Sequence, residues 1–244
     1  MPPAAPSRRL APSKEIDSGP DPFAGDGRSH TSPAVDVRVV FFTLVGGRLV
    51  VALGSGEEGA PSLPRGWPAA EESLDVAARR IARDQIGLTD RYLEQLYTFS
   101  VGDDGEWTVV ITYVGLVGPD APVGSAPGIT WVPLHPRVVC SEIDSRVIEY
   151  ARTRLQAKLG YTTIALYLLP AAFTFRHLQS IYETILDQPL DKRNFRRRFL
   201  ATGMLERTDQ VSREGSHRPA ALYRFRPTDD HERYLTPAWD EERP

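Results

Sequence analysis

A chain of 244 residues with 41% hydrophobic and 25% charged positions has the composition of a soluble globular protein, long enough for one large domain or two ordinary ones. The formal net charge of −3 is unevenly spread: between residues 160 and 227 eleven Arg or Lys face six Asp or Glu, so a basic segment is attached to an acidic body and a polyanionic partner is expected for one part only. The single cysteine, Cys140, excludes an internal disulfide or a thiol metal cluster and favours the cytoplasm, and apolar runs such as TTIALYLLPAAF fall short of the roughly 18 residues of a membrane span, so no membrane partner is expected.

Residues 1–33 hold seven prolines and little aliphatic clustering. Such a segment buries too little apolar surface to offset its ordering entropy, so a disordered tail is expected. Order should begin at VDVRVVFFTLVGGRLVVALG, two β-branched and aromatic runs around Gly46-Gly47, a hairpin signal. From Ser73 to Gly87, apolar residues at 74, 77, 78 and 81 recur at helical spacing, with Gly87 placed to end the helix. EWTVVITYVGLVG and ITWVPL read as strands. SEIDSRVIEYARTRLQAKLG reads as a helix with Ser141 as N-cap and Gly160 as stop. An α+β domain over residues 34–158 is expected.

Residues 159–227 have a different rhythm. YTTIALYLLP is short, apolar and ends at proline. TFRHLQSIYETIL puts Phe175, Leu178, Ile181, Tyr182 and Ile185 on one helical stripe, with Thr174 as N-cap. DQP makes a turn, and LDKRNFRRRFLATG is a second helix between Asp191 as cap and Gly203 as stop. Two β-like runs then flank a Gly/Ser/Arg tip. This order is that of a winged helix-turn-helix, and residues 228–244 form an acidic tail.

Within GWPAAEESLDVAARRIARDQIGL, residues 66–88, Gly66, Glu72, Arg80, Gly87 and Leu88 keep a fixed spacing. It resembles the signature of the Nudix phosphohydrolases, and LPRGW precedes it where those proteins have Leu-Pro-Gly-Gly. That signature sets carboxylates on one helical face so that they converge on Mg²⁺ or Mn²⁺, which bridges a diphosphate and activates water. Here the equivalent positions are Ile81, Asp84 and Gln85, leaving too few charged oxygens for a hard cation. No catalytic or metal-ligating residue and no cofactor is therefore expected. Without metals the fold can still hold a nucleoside diphosphate. Arg38, Arg65 and Arg80 suit phosphate pairing and Trp67 suits base stacking, with Glu72 counted in the same ligand set.

On the DKRNFRRRF helix, Arg193, Arg196 and Arg197 share one face while Phe195 and Phe199 share another. The phenylalanines anchor the helix; the arginines and Lys192 face DNA, with Asn194 near the N-terminus where side chains touch base edges. Arg213 and Arg218 suit a wing at phosphates, and Thr174, Arg176 and His177 suit phosphate contact at the start of the preceding helix. His217 at the same tip has no second ligand at metal spacing.

The degenerate box followed by YLEQLYTFS, ARTRLQAKLGYTTIALYLLPAAFTFRHLQSIYE, LDKRNFRRRFL and RPAALYRF resembles the Nudix-related transcriptional regulators of the NrtR type, over about residues 34–227. The resemblance implies a Nudix-like α/β/α sandwich followed by a winged helix-turn-helix, acting as a homodimer on double-stranded operator DNA. It also implies repression of NAD-metabolism genes, relieved by ADP-ribose; a sugar-phosphate effector and sugar catabolism are the alternative within the family. Outside it stand a metal-dependent diphosphatase using Glu72, Asp84 and a distant acid, and a DNA-binding module whose Nudix half is only a scaffold.

Overall fold

The computed structural model describes residues 33–226 except 57–58, 90–91, 104–105, 122–125, 136–137 and 213–218. The two expected tails, apart from Pro33, and the expected wing-tip residues Arg213 and Arg218 lie outside the described residues. Strands β1 (Ala34–Val45) and β2 (Arg48–Ser55) form the expected hairpin. Gly46 and Gly47 connect them at φ of 57° and 74°, the left-handed pair that a tight hairpin turn demands.

β1 is the centre of the sheet. It runs parallel to β6 (Glu106–Leu116), which pairs in turn with the long edge strand β5 (Tyr92–Asp103). On its other side lie β2 and a two-residue strand, β4 (Arg65–Gly66). β2 also takes the short β3 (Pro61–Ser62) and β7 (Thr130–Pro133). Alternation along β1 sends its side chains to two cores. Val37, Val39 and Phe41 pack with Ala77, Ala78 and Ile81 of α1 (Leu74–Ile81). Val40 and Phe42 pack with Val147, Ala151 and Leu155 of α2 (Glu142–Leu159). A sheet between two helices is the α/β/α sandwich the sequence pointed to.

The helix expected over 73–87 is two pieces. α1 is capped by Ser73, whose Oγ accepts the Val76 N–H at 3.4 Å, and it widens into a π turn over Ala82–Ile86 that Gly87 ends at φ 75°. Such wide turns recur at functional sites. After α2, a 3₁₀ turn at Ile164–Leu168 leads into α3 (Phe175–Leu186) and α4 (Lys192–Ala201), followed by the antiparallel β8 (Leu205–Ser212) and β9 (Ala220–Phe225). The caps fall where expected: Thr174 Oγ1 accepts from His177 N at 3.1 Å and Asp191 Oδ1 from Asn194 N at 2.8 Å.

The core holding α2 against the sheet does not stop at 158/159. It continues through Leu155, Leu159, Ile164 and Leu168 to Leu178, Ile181, Tyr182, Phe195, Phe199 and Tyr223. Gln156 Nε2 also donates to the Ile185 carbonyl at 2.8 Å, fastening α2 to α3. The sandwich and the winged helix thus share one hydrophobic interior. Among the described residues, no helix is long and apolar enough to cross a membrane.

Candidate nucleic-acid interface and effector pocket

Helix α4 owes its orientation to two rings. Phe195 and Phe199 are buried, 4.8 Å apart between centroids, and each stands 5.3 Å from buried Tyr182 of α3. Burying a side chain of that size stabilises by about 1.5–3 kcal/mol, which fixes the opposite face outward. On that face Lys192, Arg193, Arg196 and Arg197 are exposed and Asn194 is half-exposed beside the N-terminus. Arg198 is half-buried, off the exposed row.

Arg196 is held more closely than its neighbours. Its guanidinium lies 4.4 Å from the Phe175 ring centroid and donates through Nη2 to Tyr223 Oη at 2.8 Å. It therefore ties α4 to the start of α3 and to β9. The sequence carried no signal of this tie, because Tyr223 is 27 residues away. At the first turn of α3, Thr174 spends its hydroxyl on the cap, and Arg176 and His177 are exposed.

The box is built but rewired. Ile81, in the place of the first catalytic acid, is 1% exposed and packs into the core, where Gly66 leaves room for it: a Cβ there would come within 3.4 Å of the Ile81 side chain. Gln85, in the place of another acid, spends its amide on the backbone. Its Nε2 donates to the Arg65 carbonyl at 2.7 Å and its Oε1 accepts from the Arg65 N–H at 3.2 Å. A carboxylate accepts only, so glutamate would forfeit the first of these bonds. Asp84 pairs sideways with Arg83 at 2.8 Å. The three side chains do not fit the divalent ion that such a box ordinarily holds.

Glu72 and Arg80 are committed to each other. Arg80 Nε and Nη2 donate to the two Glu72 oxygens at 2.8 Å each, and Nη2 also reaches the Trp67 carbonyl at 2.9 Å. The Trp67 ring is 59% exposed. Hydrogen bonds from Arg80 first, and from the Ala69 N–H, hold the Glu72 carboxyl down to about 2. A depressed carboxyl favours the fold above the ordinary glutamate value and loses that contribution as pH falls toward 2. A carboxyl-carbon NMR titration should therefore give Glu72 a midpoint near 2, and Arg80→Ala should return it to the ordinary range. An unshifted midpoint in the unsubstituted chain would show the pair to be open in solution.

Arg38 and Arg65 belong to a different cluster. Arg38 is 6% exposed and lies on the α2 face of β1, with Nε to Asp36 at 2.8 Å and Nη1 to Asp144 at 2.6 Å. Burial alone would lower its pKa, but the carboxylates of Asp144 and Asp36 prevail and raise it. Asp144 Oδ2 also accepts from Ser62 Oγ at 3.0 Å and from Leu63 N at 3.2 Å. Arg65 reaches Asp36 at 3.8 Å. Arg38, Ser62, Arg65 and Asp144 border a cavity of about 450 Å³ between the N-terminus of α2 and the β3–β4 segment, walled by Pro61, Val139 and Ile143. The five residues nominated for ligand binding thus divide: Arg38 and Arg65 line this cavity, while Trp67, Glu72 and Arg80 make a separate cluster. The cavity's apolar walls with few polar groups suit an organic ring or sugar. Arg38 enters already neutralised by two carboxylates, so Arg65 is the better placed of the two to meet a phosphate.

Comparison with known proteins agrees with both halves. A family model for the NrtR DNA-binding winged helix domain matches residues 165–225. The chain is 31% identical over 209 residues to the ADPR responsive transcriptional repressor NtrR of Acinetobacter baylyi, covering 80% of this chain and 83% of that protein. Among solved structures it is similar to Shewanella oneidensis NrtR complexed with a 27mer DNA, with 28% identity and a TM-score of 0.71 over 79% of this chain and 93% of that one. A MutT/nudix family protein from Enterococcus faecalis, 18% identical, shares the fold with a TM-score of 0.63 over 82% of this chain and 88% of its own. A Nudix-like sandwich joined to a winged helix, matched along most of its length by a repressor of the same build, makes this chain a member of the NrtR family of transcriptional regulators.

Proposed function

We propose that the chain is a transcriptional repressor that binds double-stranded operator DNA as a homodimer and releases it when its Nudix-like domain takes up ADP-ribose. NAD-metabolism genes are its expected targets. The observation that carries the reading is the outward basic face of α4, fixed by Phe195 and Phe199, in a chain related over most of its length to an ADPR responsive repressor. Arg193, Arg196, Arg197, Lys192 and Asn194 read or grip the duplex, with Arg176 and His177 at flanking phosphates. The effector's ring or sugar lies in the cavity beside Asp144, with Arg65 at its phosphates.

Hydrolysis is not part of this role. Ile81 offers no oxygen, Gln85 is bonded to the Arg65 backbone, and Asp84 alone cannot hold a divalent ion for attack on a diphosphate. A socket that keeps its ligand intact serves a sensor, because turnover would erase the signal. No cofactor is required.

Fluorescence anisotropy on DNA from the gene's own upstream region, with and without ADP-ribose at fixed salt, tests the proposal. Binding is expected to weaken about 5- to 150-fold at saturating ligand, the span of a coupling of roughly 1–3 kcal/mol. Unchanged affinity would remove ADP-ribose as effector and bring sugar phosphates forward. Release of AMP from ADP-ribose in the presence of Mg²⁺ would replace the sensor with a hydrolase.

A further inference from the structure

The two halves meet at Lys158, one residue before α2 ends. Its ammonium is buried, the residue being 5% exposed, and donates to Tyr92 Oη at 3.0 Å and to the Glu94 carboxylate, both on β5. Its own carbonyl accepts from Tyr161 N at 3.2 Å, Thr162 N at 2.8 Å and Thr162 Oγ1 at 2.8 Å. One residue therefore grips β5 with its side chain and, with its backbone, the linker entering the winged helix. Tyr92 adds a second tie by packing on Tyr167 of the 3₁₀ turn, ring centroids 4.5 Å apart.

The other face of the same stretch of β5 belongs to the box. Leu93 packs into the core that contains Ile81, Ile86 and Leu88, whereas Tyr92 packs into the core that continues into the winged helix. Consecutive strand residues point to opposite faces, so a displacement of the box helix that moves Leu93 also moves Tyr92 and Glu94. Only four positions separate Leu88 from Tyr92. An apolar pair would serve a static joint at least as well, since burying an ammonium carries a desolvation cost. A lysine satisfied by one carboxylate and one phenol instead specifies one register of β5 against the end of α2.

We propose that Tyr92, Glu94 and Lys158 are positioning residues that carry effector occupancy in the Nudix-like domain to the winged helix. The inference rests on the effector-released repressor reading above. A ligand at Arg65 acts through the Gln85 clamp on the Arg65 backbone, which moves the turn carrying Ile86 and Leu88 against Leu93; the Glu94–Lys158 register changes, and the linker at Tyr161 and Thr162 re-aims the DNA-binding head. The equilibrium both sites bias is the register of β5 at this joint.

The test uses the full chain with Glu94→Gln and, separately, Tyr92→Phe, which keeps its ring against Tyr167 and loses only the hydroxyl. Anisotropy on the upstream DNA gives the ratio of affinities without and with ADP-ribose, and calorimetry gives ADP-ribose affinity directly. Both variants should bind DNA alone and ADP-ribose alone within about 3-fold of the unsubstituted chain, while the ratio falls below about 2-fold from the wild-type coupling. A wild-type ratio in both variants overturns the proposal, even if their melting temperatures drop, because a purely structural tie would lower stability and leave coupling intact. If the unsubstituted chain shows no ratio, the sensor reading itself fails and this one falls with it. If only the variants lose the ratio, both stand.

Discussion

Replacing Arg193 and Arg197 together by alanine is expected to weaken operator binding by about 30-fold or more if both contact bases, since each base-contacting arginine contributes roughly 1–3 kcal/mol. Both side chains stand on the exposed face of α4, opposite Phe195 and Phe199, and neither pairs with a described residue. Their loss should leave the fold almost untouched, within about 0.5 kcal/mol for exposed positions away from caps and cores. Salt dependence then separates their roles. Loss of two phosphate contacts lowers the slope of log K against log salt by about 2, whereas loss of a base contact relaxes sequence preference and leaves the slope near its original value. Arg196 is a poorer target for the same question. Its alanine variant also removes the bond to Tyr223 and the stack on Phe175, so weaker DNA binding there would mix lost contact with a loosened α4. Wild-type affinity in the Arg193→Ala/Arg197→Ala protein, at any salt concentration, would take the recognition role away from α4.

Much of this arrangement is written in local sequence. The caps at Ser73, Ser141, Thr174 and Asp191, the Gly46-Gly47 hairpin and the two-faced α4 each depend on residues within a turn or two of one another. What stayed hidden depends on distant partners. Arg38 shares a strand face with Val40 and Phe42, so period-two alternation already places it toward a core. Asp36 two residues before it is the available counter-charge. In local sequence Arg38 suits phosphate pairing, because Asp144 is 106 residues away and nothing nearby announces it. Gln85 was legible as a missing acid but not as a clamp on Arg65, since that depends on β4, a two-residue strand too short for any periodic signal. Nor does composition reveal that one hydrophobic interior runs from the sheet through α2 to the winged helix. That continuity gives the molecule a solid path between the sheet domain and the basic face of α4.

The largest loss of stability is expected from Asp144→Ala, about 3–5 kcal/mol, the cost of breaking a buried ion pair from one side. Asp144 is fully buried and serves four groups: it accepts from Arg38, Ser62 Oγ and Leu63 N, and its own N–H is capped by Ser141. Removing the carboxylate leaves the Arg38 guanidinium with Asp36 as its remaining carboxylate and strands the Leu63 N–H, which by itself costs about 1–3 kcal/mol. In urea, with a slope of roughly 1–3 kcal/mol per molar, the midpoint should fall by about 1–5 M. Asp144→Asn should cost less, because the amide oxygen can still accept from Leu63 N and Ser62. Arg38→Met should cost more than Asp144→Asn, because it buries Asp36 and Asp144 without their shared cation. The order of the three melts identifies the source of the stability: if Asp144→Ala and Asp144→Asn melt together, the hydrogen bonds to the β3–β4 segment contribute little and the ion pair carries the joint. If Asp144→Asn instead melts with the unsubstituted chain, the neutral bonds suffice and the buried charges serve the shape of the adjoining cavity rather than the fold. Because this cluster fastens the N-terminus of α2, whose other end holds the winged helix, a loosened Asp144 should also blunt the response of DNA binding to ADP-ribose before the chain unfolds.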